Sequence, residues 1–233
     1  MLPLKDDVPS RSFPLFTVVL IAANAAAFLY QLSLEMAPAG PSHAAAAAFV
    51  MEFGAVPCRP TGACPTDEFP APVVTVFTSM FLHGGLFHIA GNMLYLWMFG
   101  DNVEDTLGHF RFLALYLLAG VGAAVAQTAM NPESRIPMVG ASGAISGVLG
   151  AYLFLFPHAS VLTLITFGFF IRFVHIPAVI VLGFWIVVQV LNGLVSTRLS
   201  GEGGGVAWFA HIGGFVAGIV LLFLFRPRGT RRL

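Results

Sequence analysis

The sequence predicts an all-α membrane protein, a bundle of six membrane-spanning helices. Its 233 residues are 58% hydrophobic and only 9% charged, whereas a soluble domain carries about 25% charged residues. Apolar stretches recur along most of the chain, and each approaches the ~20 residues that a helix needs to cross a ~30 Å hydrocarbon core. The acidic residues fall between these stretches or at their ends, as expected if the stretches lie in lipid.

The N-terminal segment, residues 1–13, is expected to precede a first span over 14–32. Lys5 and Arg11 before an apolar run, with small residues from Ala23 to Ala27, would also fit a cleaved signal peptide. The apolar run from Pro14 to Leu32 is longer than the 7–15 residues of a typical signal core. An uncleaved first span is therefore the favoured interpretation.

A long connection, about 33–83, follows the first span. Its Ala-rich segment from His43 to Phe53 favours a short helix lying on the membrane surface. Cys58 and Cys64 would form a disulfide if this loop faces an oxidising compartment, and two reduced thiols fit the sequence equally well.

Five further spans are predicted from the length of the apolar runs and from the polar, Gly or Pro breaks between them. They cover roughly 84–100, 110–130, 140–157, 174–195 and 206–225. The apolar stretch 160–171 is too short to span a bilayer, so it is expected to be a re-entrant or interfacial connection. The membrane domain thus covers 14–225, and a basic tail, 226–233, follows it.

Basic residues orient this bundle, because six spans put both termini and the connections after spans two and four on one side. Basic residues are enriched in cytoplasmic loops, and the counts are eight on that side and three on the other. The eight are Lys5, Arg11, Arg111, Arg172, Arg226, Arg228, Arg231 and Arg232, and the three are Arg59, Arg135 and Arg198. Both termini are therefore expected in the cytoplasm, with the protein in a bacterial-type plasma membrane.

The charged residues also limit the chemistry. A formal net charge of zero gives nucleic-acid binding little support. No pair of carboxylates lies within a span, which disfavours an aspartyl protease. The histidines form no His-Glu-x-x-His motif and the two cysteines cannot close a zinc site alone, so no metal or cofactor is predicted.

Polar residues inside three otherwise apolar spans are the candidates for chemistry. Span two carries His88 and Asn92 on one helical face, in the sequence HIAGN. Span four has Ser142 in its first turn, and span six has His211 near its outer end. Spans four and six run in the same direction, so Ser142 and His211 are expected at similar depth.

Small residues suggest how those two spans meet. A stripe of Ser142, Ser146 and Gly150 on span four, and the pair Gly214 and Gly218 on span six, would allow close helix packing. The imidazole of His211 would then come within ~2.6–3.2 Å of the Ser142 hydroxyl, as a general base must. Taken singly, each of these residues also fits ordinary helix packing.

In combination these motifs resemble those of the rhomboid family of intramembrane serine proteases. FLHGGLFHIAGNMLYLWMFG is similar to the family's second-span signature, GASG to its nucleophile motif, and AHIGGFVAG to its last-span histidine motif. The resemblance implies a rhomboid-like bundle that cleaves transmembrane proteins near the outer membrane face, with membrane lipid as its surroundings. It assigns Ser142 as nucleophile, His211 as base, and His88, Asn92 and the Ser142 backbone N–H as an oxyanion hole.

The resemblance also implies structural roles in NVEDTLGHFRF for Glu104, Gly108, Arg111 and Phe112. Ser146 stands where some family members have an aromatic ring against the histidine, and the first loop lacks the Trp-Arg pair of other members. No acidic third member is apparent beside the Ser-His dyad. The alternative functions are a non-catalytic relative that binds transmembrane helices and, less favoured because no internal repeat is evident, a transporter or channel.

Overall fold

The computed structural model describes residues 2–36, 42–65, 70–167, 170–198 and 206–226. Within these ranges the chain forms a bundle of α-helices and one small β-sheet. In chain order the elements are β1 (Leu2–Asp6), α1 (Leu15–Glu35), α2 (Ser42–Phe53), α3 (Pro72–Thr78), α4 (Leu86–Leu107), α5 (His109–Met130), α6 (Ser142–Leu155), β2 (Ser160–Phe167), β3 (Phe170–Pro177), α7 (Ala178–Arg198) and α8 (Trp208–Phe225).

The predicted helical membrane bundle is confirmed. Helices α1, α5, α7 and α8 are each long and apolar enough to cross a membrane, and α3 with its following 3-10 turn joins α4 at an 85° bend to make a fifth candidate. Each of the six predicted spans contains a helix, and the largest differences are at the end of α4, which runs seven residues further than predicted, and at the start of α7, which begins four residues later. The short helix predicted in the long first connection is α2.

Helix α6 is the centre of the bundle, and it is short. Its 14 residues extend ~21 Å, well under the ~30 Å of a hydrocarbon core. Nearly all of them are buried, among the fully buried rings of Phe99, Phe112 and Tyr116. Because α6 is shorter than its neighbours, the connection that leads into it, residues 131–141, must enter the bundle.

Glycines bring the backbones of α6 and α8 into direct contact. A Cβ added at Gly214 would overlap the carbonyl oxygen of Gly143, and one added at Gly218 would overlap Gly147. Of the predicted contact stripe of Ser142, Ser146 and Gly150, Ser142 meets α8 at His211 and Gly150 meets it at Phe215. The closest backbone contacts are made by Gly143 and Gly147, which the predicted stripe did not include. Small residues permit this approach as expected.

A three-stranded antiparallel sheet lies at the end of the bundle opposite to Ser142. Strands β2 and β3 form a hairpin between α6 and α7, and β1 pairs with β2. The predicted re-entrant or interfacial connection, 160–171, falls in this hairpin, and residues 174–177 of the predicted fifth span belong to β3. Alternating β-branched residues such as Val161 and Thr163 favour a strand here. The N-terminal segment thus lies beside the α6–α7 connection.

Asp6 joins this sheet to α6. Its carboxyl group accepts a hydrogen bond from the hydroxyl of Tyr152, while Asp7 accepts one from the backbone N–H of Ser160 at 2.7 Å. Burial, reinforced by the nearby charge of Asp101, raises the pKa of Asp6 from 3.8 to about 6. The N-terminal strand is therefore held to the helix bundle by side chains as well as by its sheet pairing.

The first loop is fastened to the connection that leads into α6. The sequence fits either a disulfide or two reduced thiols at Cys58 and Cys64, and the structure has the disulfide. The backbone N–H of Cys58 donates to the carbonyl of Ser134 at 3.0 Å, and Ala55 and Met138 exchange two backbone hydrogen bonds. Asp67 and Glu68 of this loop lie outside the described residues.

Glu104 on α4 caps the start of α1. Its buried carboxylate accepts hydrogen bonds from the backbone N–H groups of Phe16 and Thr17, both at 2.8 Å, and from the Thr17 hydroxyl. His109 lies 2.6 Å from the same carboxylate.

Gly108, with a φ of 80°, makes the turn between α4 and α5. Of the two residues near the start of α5 that the motif NVEDTLGHFRF also includes, Phe112 is fully buried and Arg111 is exposed.

Glu104→Ala is expected to destabilise the fold by about 2–4 kcal/mol, because it leaves buried N–H donors of a helix start without an acceptor. Thermal unfolding in detergent measures this effect. Glu35→Ala, which removes an exposed carboxylate at the other end of α1, is the control and should unfold within about 0.5 kcal/mol of the native chain. Equal unfolding of the two variants would contradict the capping role.

Candidate active site

Ser142 and His211 lie within hydrogen-bond distance of each other. Ser142 is the first residue of α6 and His211 is in the first turn of α8. The Nε2 atom of His211 is 2.9 Å from the Oγ atom of Ser142. This separation falls in the range needed for an imidazole to take a proton from a hydroxyl.

Two helices fix the position of His211. The glycine contacts bring α8 against α6, and α5 holds the start of α8 from another side. There the Oε1 atom of Gln127 accepts a hydrogen bond of 3.2 Å from the backbone N–H of Ala210, the residue before His211. An added Cβ at Gly213 would overlap Ala126 of α5. These contacts set the position of the helix backbone that carries His211.

The other face of the imidazole meets α7. The Oε1 atom of Gln189 lies 2.8 Å from Nδ1 of His211, and the ring centroid of Trp185, also on α7, is 5.9 Å from the imidazole centroid. Trp208, at the start of α8 itself, has its ring centroid 6.3 Å from the imidazole centroid. None of these three residues was among the predicted site residues. Gln189 could have been found by the same signal as the others, since it is polar within an apolar span.

Ser146 does not take the place of an aromatic neighbour. It is fully buried, and its hydroxyl donates a hydrogen bond of 2.6 Å to the carbonyl of Ser142. The sequence did not identify the aromatic neighbours of His211; in the structure they are Trp185 and Trp208.

His88 and Asn92 of α4 lie across Gly140 from the start of α6. The backbone N–H of Gly84 donates to Nδ1 of His88 at 3.3 Å, so the ring proton of the neutral imidazole is on Nε2. The Nδ2 atom of Asn92 is buried and has no hydrogen-bond partner among the described residues. Buried amide donors are normally satisfied, so Asn92 presents an unused donor beside Ser142.

Gly140 is the point of closest approach between this pair and the nucleophile segment. A Cβ added there would lie 2.7 Å from the His88 ring and 3.5 Å from Nδ2 of Asn92. The residue has a φ of 121°, which other residues rarely adopt. Its N–H donates to the carbonyl of Ser79 at 2.9 Å, so the segment is also anchored from behind.

Gly140→Ala is expected to lower the turnover of any reaction at Ser142 by about 10²-fold, because a displacement near 1 Å of the reacting groups costs that much. The added methyl group must push the His88 ring away or shift the backbone. Gly183→Ala on α7, where an added Cβ meets nothing within 4 Å, is the matched control. Native turnover in Gly140→Ala would mean that the spacing between α4 and Ser142 is unimportant.

All four candidate residues line one cavity of about 1050 Å³. Trp185, Trp208 and the connection 132–139 form other parts of its wall. A space of this size accommodates several residues of a peptide in extended form, together with water. The nucleophile candidate, its basic partner and two N–H donors therefore face a common space.

Comparisons with known proteins show the family of this chain. Residues 70–228, more than half of the chain, match the model of the Rhomboid domain. RHOMBOID-like protein 1 of Arabidopsis thaliana is 34% identical over 155 residues, covering 66% of this chain and 35% of that protein. Rhomboid protease GluP of Bacillus subtilis is 37% identical over 143 residues, covering 61% of this chain and 24% of that protein.

Rhomboid protein 1, mitochondrial, of Saccharomyces cerevisiae is 29% identical over 162 residues, covering 66% of this chain and 42% of that protein. The chain thus spans less than half of the length of these curated relatives. The matched domain includes α4, α6 and α8 with all four candidate residues. On this match the chain belongs to the rhomboid family.

Proposed function

We propose that the chain is an intramembrane serine endopeptidase that cleaves transmembrane proteins near the outer membrane face. The observation that carries this proposal is the 2.9 Å contact between Nε2 of His211 and Oγ of Ser142 at a cavity in a membrane helix bundle. One relative, GluP, is named a rhomboid protease. Ser142 would be the nucleophile and His211 its general base.

Acylation would begin when Ser142 Oγ attacks the scissile carbonyl carbon. The hydroxyl proton passes to Nε2 of His211 as the O–C bond forms, and the carbonyl oxygen becomes an oxyanion. Nδ2 of Asn92, Nε2–H of His88 and the Ser142 backbone N–H are the proposed donors to that oxyanion. The C–N bond then breaks, and Nε2 returns its proton to the leaving amine.

Deacylation would repeat these steps with water. His211 Nε2 takes a proton from a water molecule as the hydroxyl attacks the acyl carbon, and the Ser142 O–C bond breaks with return of the proton to Oγ. A carboxylic acid is released. Water cannot be drawn from lipid, so the reaction needs a hydrated space that opens to one membrane face. The short α6 and the cavity above Ser142 support this requirement.

Covalent labelling by a serine-directed fluorophosphonate tests the proposal. The native chain should be labelled, and Ser142→Ala should not. Ser196→Ala is the matched control and should label like the native chain. Ser196 also lines the cavity, but among the described residues its hydroxyl bonds only the Gly193 carbonyl of its own helix. Absence of labelling in a folded native chain would instead favour the non-catalytic alternative, in which the cavity binds a transmembrane helix.

The orientation in the membrane is also proposed. We place both termini in the cytoplasm and Ser142 near the outer face of a bacterial-type plasma membrane, supported by the eight-to-three distribution of basic residues. The pairing of β1 with β2 independently requires the N-terminal segment and the α6–α7 connection to share one side. Arg228, Arg231 and Arg232, which contribute to the eight, lie outside the described residues.

An impermeant maleimide checks this orientation. In intact cells we expect Cys58 and Cys64 to react only after reduction, because they form a disulfide in a loop on the outer side. Inverted membrane vesicles provide the control, and there the reduced thiols should be protected. Reaction in inverted vesicles alone would reverse the proposed orientation.

A further inference from the structure

Gln189 is a polar side chain in the middle of the apolar helix α7. Its side chain is only 5% exposed, and it does not line the cavity. A buried amide in a membrane helix is costly unless its donors and acceptor are satisfied. The hydrogen-bond partners of Nε2 and Oε1 therefore indicate the role of Gln189.

Both ends of the amide are engaged. Nε2 donates to the carbonyl of Trp185 at 3.1 Å, one helical turn earlier on α7, and Oε1 lies 2.8 Å from Nδ1 of His211. An amide can often be turned over without changing its shape, but here the Trp185 carbonyl can only accept. The donor end must therefore face Trp185, and the acceptor end must face His211.

This orientation decides the tautomer of His211. A carbonyl oxygen has no proton to donate, so the ring proton of the neutral imidazole is on Nδ1. Nε2 is then left with its lone pair, directed at the hydroxyl of Ser142 at 2.9 Å. In the opposite tautomer Nε2 would carry the proton and could not accept one from Ser142.

We propose that Gln189 is a positioning residue that holds His211 in the tautomer and orientation of a general base. The inference rests on the proposed function, in which His211 takes the Ser142 proton. Gln189 acts only through His211, in the place that an acidic third member occupies in serine hydrolases with a Ser-His-Asp triad. The sequence analysis found no acidic residue for this third position and did not consider a neutral one.

A neutral acceptor suits this location. Among the described residues the two ring nitrogens of His211 hydrogen-bond only Gln189 and Ser142, and His88 of α4 lines the same cavity. A buried carboxylate at position 189 would carry a large desolvation cost in a membrane helix. The amide supplies the same acceptor geometry without a net charge.

Gln189→Met tests the role, because methionine keeps the length of the side chain but offers no effective acceptor. We expect kcat to fall by about 10²-fold, the lower end of a general-base contribution, with KM within about twofold of the native value. Asn192→Leu is the matched control. Asn192 is one turn further along α7 and its amide bonds only the Val188 carbonyl among the described residues, so kcat should stay within about twofold.

Gln189→Glu distinguishes positioning from packing. A carboxylate restores the acceptor, so activity at high pH should recover to within about tenfold of the native value, and the acidic limb of the pH–rate profile should move to higher pH because the carboxylate stabilises the imidazolium. A purely structural role would leave the position of that limb unchanged. Native kcat in a folded Gln189→Met, or an unmoved limb in a folded Gln189→Glu, would overturn the proposal.

Nitrogen-15 NMR of the histidine-labelled protein gives a readout that needs no activity. The His211 signals are identified by their loss in His211→Gln, since the chain has seven histidines. We expect protonated Nδ1 in the native chain and a shift toward protonated Nε2 in Gln189→Met, and equal tautomers in both would reject the inference. If the native chain does not react with the fluorophosphonate, the proposed function fails while this tautomer measurement still stands.

Discussion

Ser142→Ala and His211→Ala are each expected to abolish proteolysis, with losses on the order of 10⁴- to 10⁶-fold in kcat, as for the members of other serine nucleophile systems. Alanine at 142 has no hydroxyl to attack the carbonyl, and alanine at 211 leaves that hydroxyl without a base. Because the two groups act in one step through a 2.9 Å hydrogen bond, the double variant should lose little more than either single variant.

Cleavage of a transmembrane substrate in detergent or liposomes measures these losses, and thermal unfolding shows that the variants remain folded. Ser142 is half-buried at a helix start, so its replacement should shift the unfolding free energy by about 1 kcal/mol at most. Ser196→Ala again serves as the control. Substantial turnover by either single variant, or losses that multiply in the double variant, would contradict the dyad.

Asn92→Ala is expected to lower kcat by ~10²–10³-fold, which corresponds to about 2.7–4 kcal/mol of lost transition-state stabilisation. Nδ2 of Asn92 is buried without a partner among the described residues, so its removal breaks no hydrogen bond of the resting protein. The loss should therefore appear only as charge develops on the substrate oxygen. KM and the melting temperature should change little.

A second buried amide provides the contrast. Asn24 on α1 donates to the Leu20 carbonyl of its own helix at 2.8 Å, away from the cavity, so Asn24→Ala should lower the melting temperature and leave kcat near its native value. His88→Ala should resemble Asn92→Ala in kcat. If Asn92→Ala is destabilised but turns over substrate at the native rate, Asn92 is a structural residue and does not belong to the oxyanion hole.

Most helices of the bundle could be predicted from the sequence because a membrane restricts which structures can cross it. Lipid offers no hydrogen bonds, so a segment that crosses it must satisfy its own backbone and forms a helix of predictable length. Apolar run length therefore located a helix in each of the six predicted spans. It ended α4 seven residues too early and misplaced the start of α7 by four residues, because 174–177 pair with β2 instead. Outside lipid that constraint is absent, and the hairpin of β2 and β3 was missed.

The candidate site, too, was predicted in part from the sequence and in part only seen in the structure. Ser142, His211, His88 and Asn92 were found because polar residues are expensive within apolar spans, and the structure brings them around one cavity. Gln189 is likewise a polar residue within an apolar span. It was not connected with His211 because their contact depends on the rotation of α7 about its axis. The contacts of Gly143 and Gly147 with α8 were not predicted for a similar reason, because small residues occur on several faces of α6.

The sequence by itself determined which segments form the apolar helices, their order along the chain, and which polar residues within them need a partner or a function. These follow from local properties: the length of the apolar runs and the cost of a polar group in lipid. Only the tertiary structure decided that Gly143 and Gly147 meet Gly214 and Gly218, that the first loop is fastened beside Ser134, and that Gln189 reaches Nδ1 of His211. Such contacts depend on the rotation of each helix about its axis, which is set by packing against all of its neighbours at once.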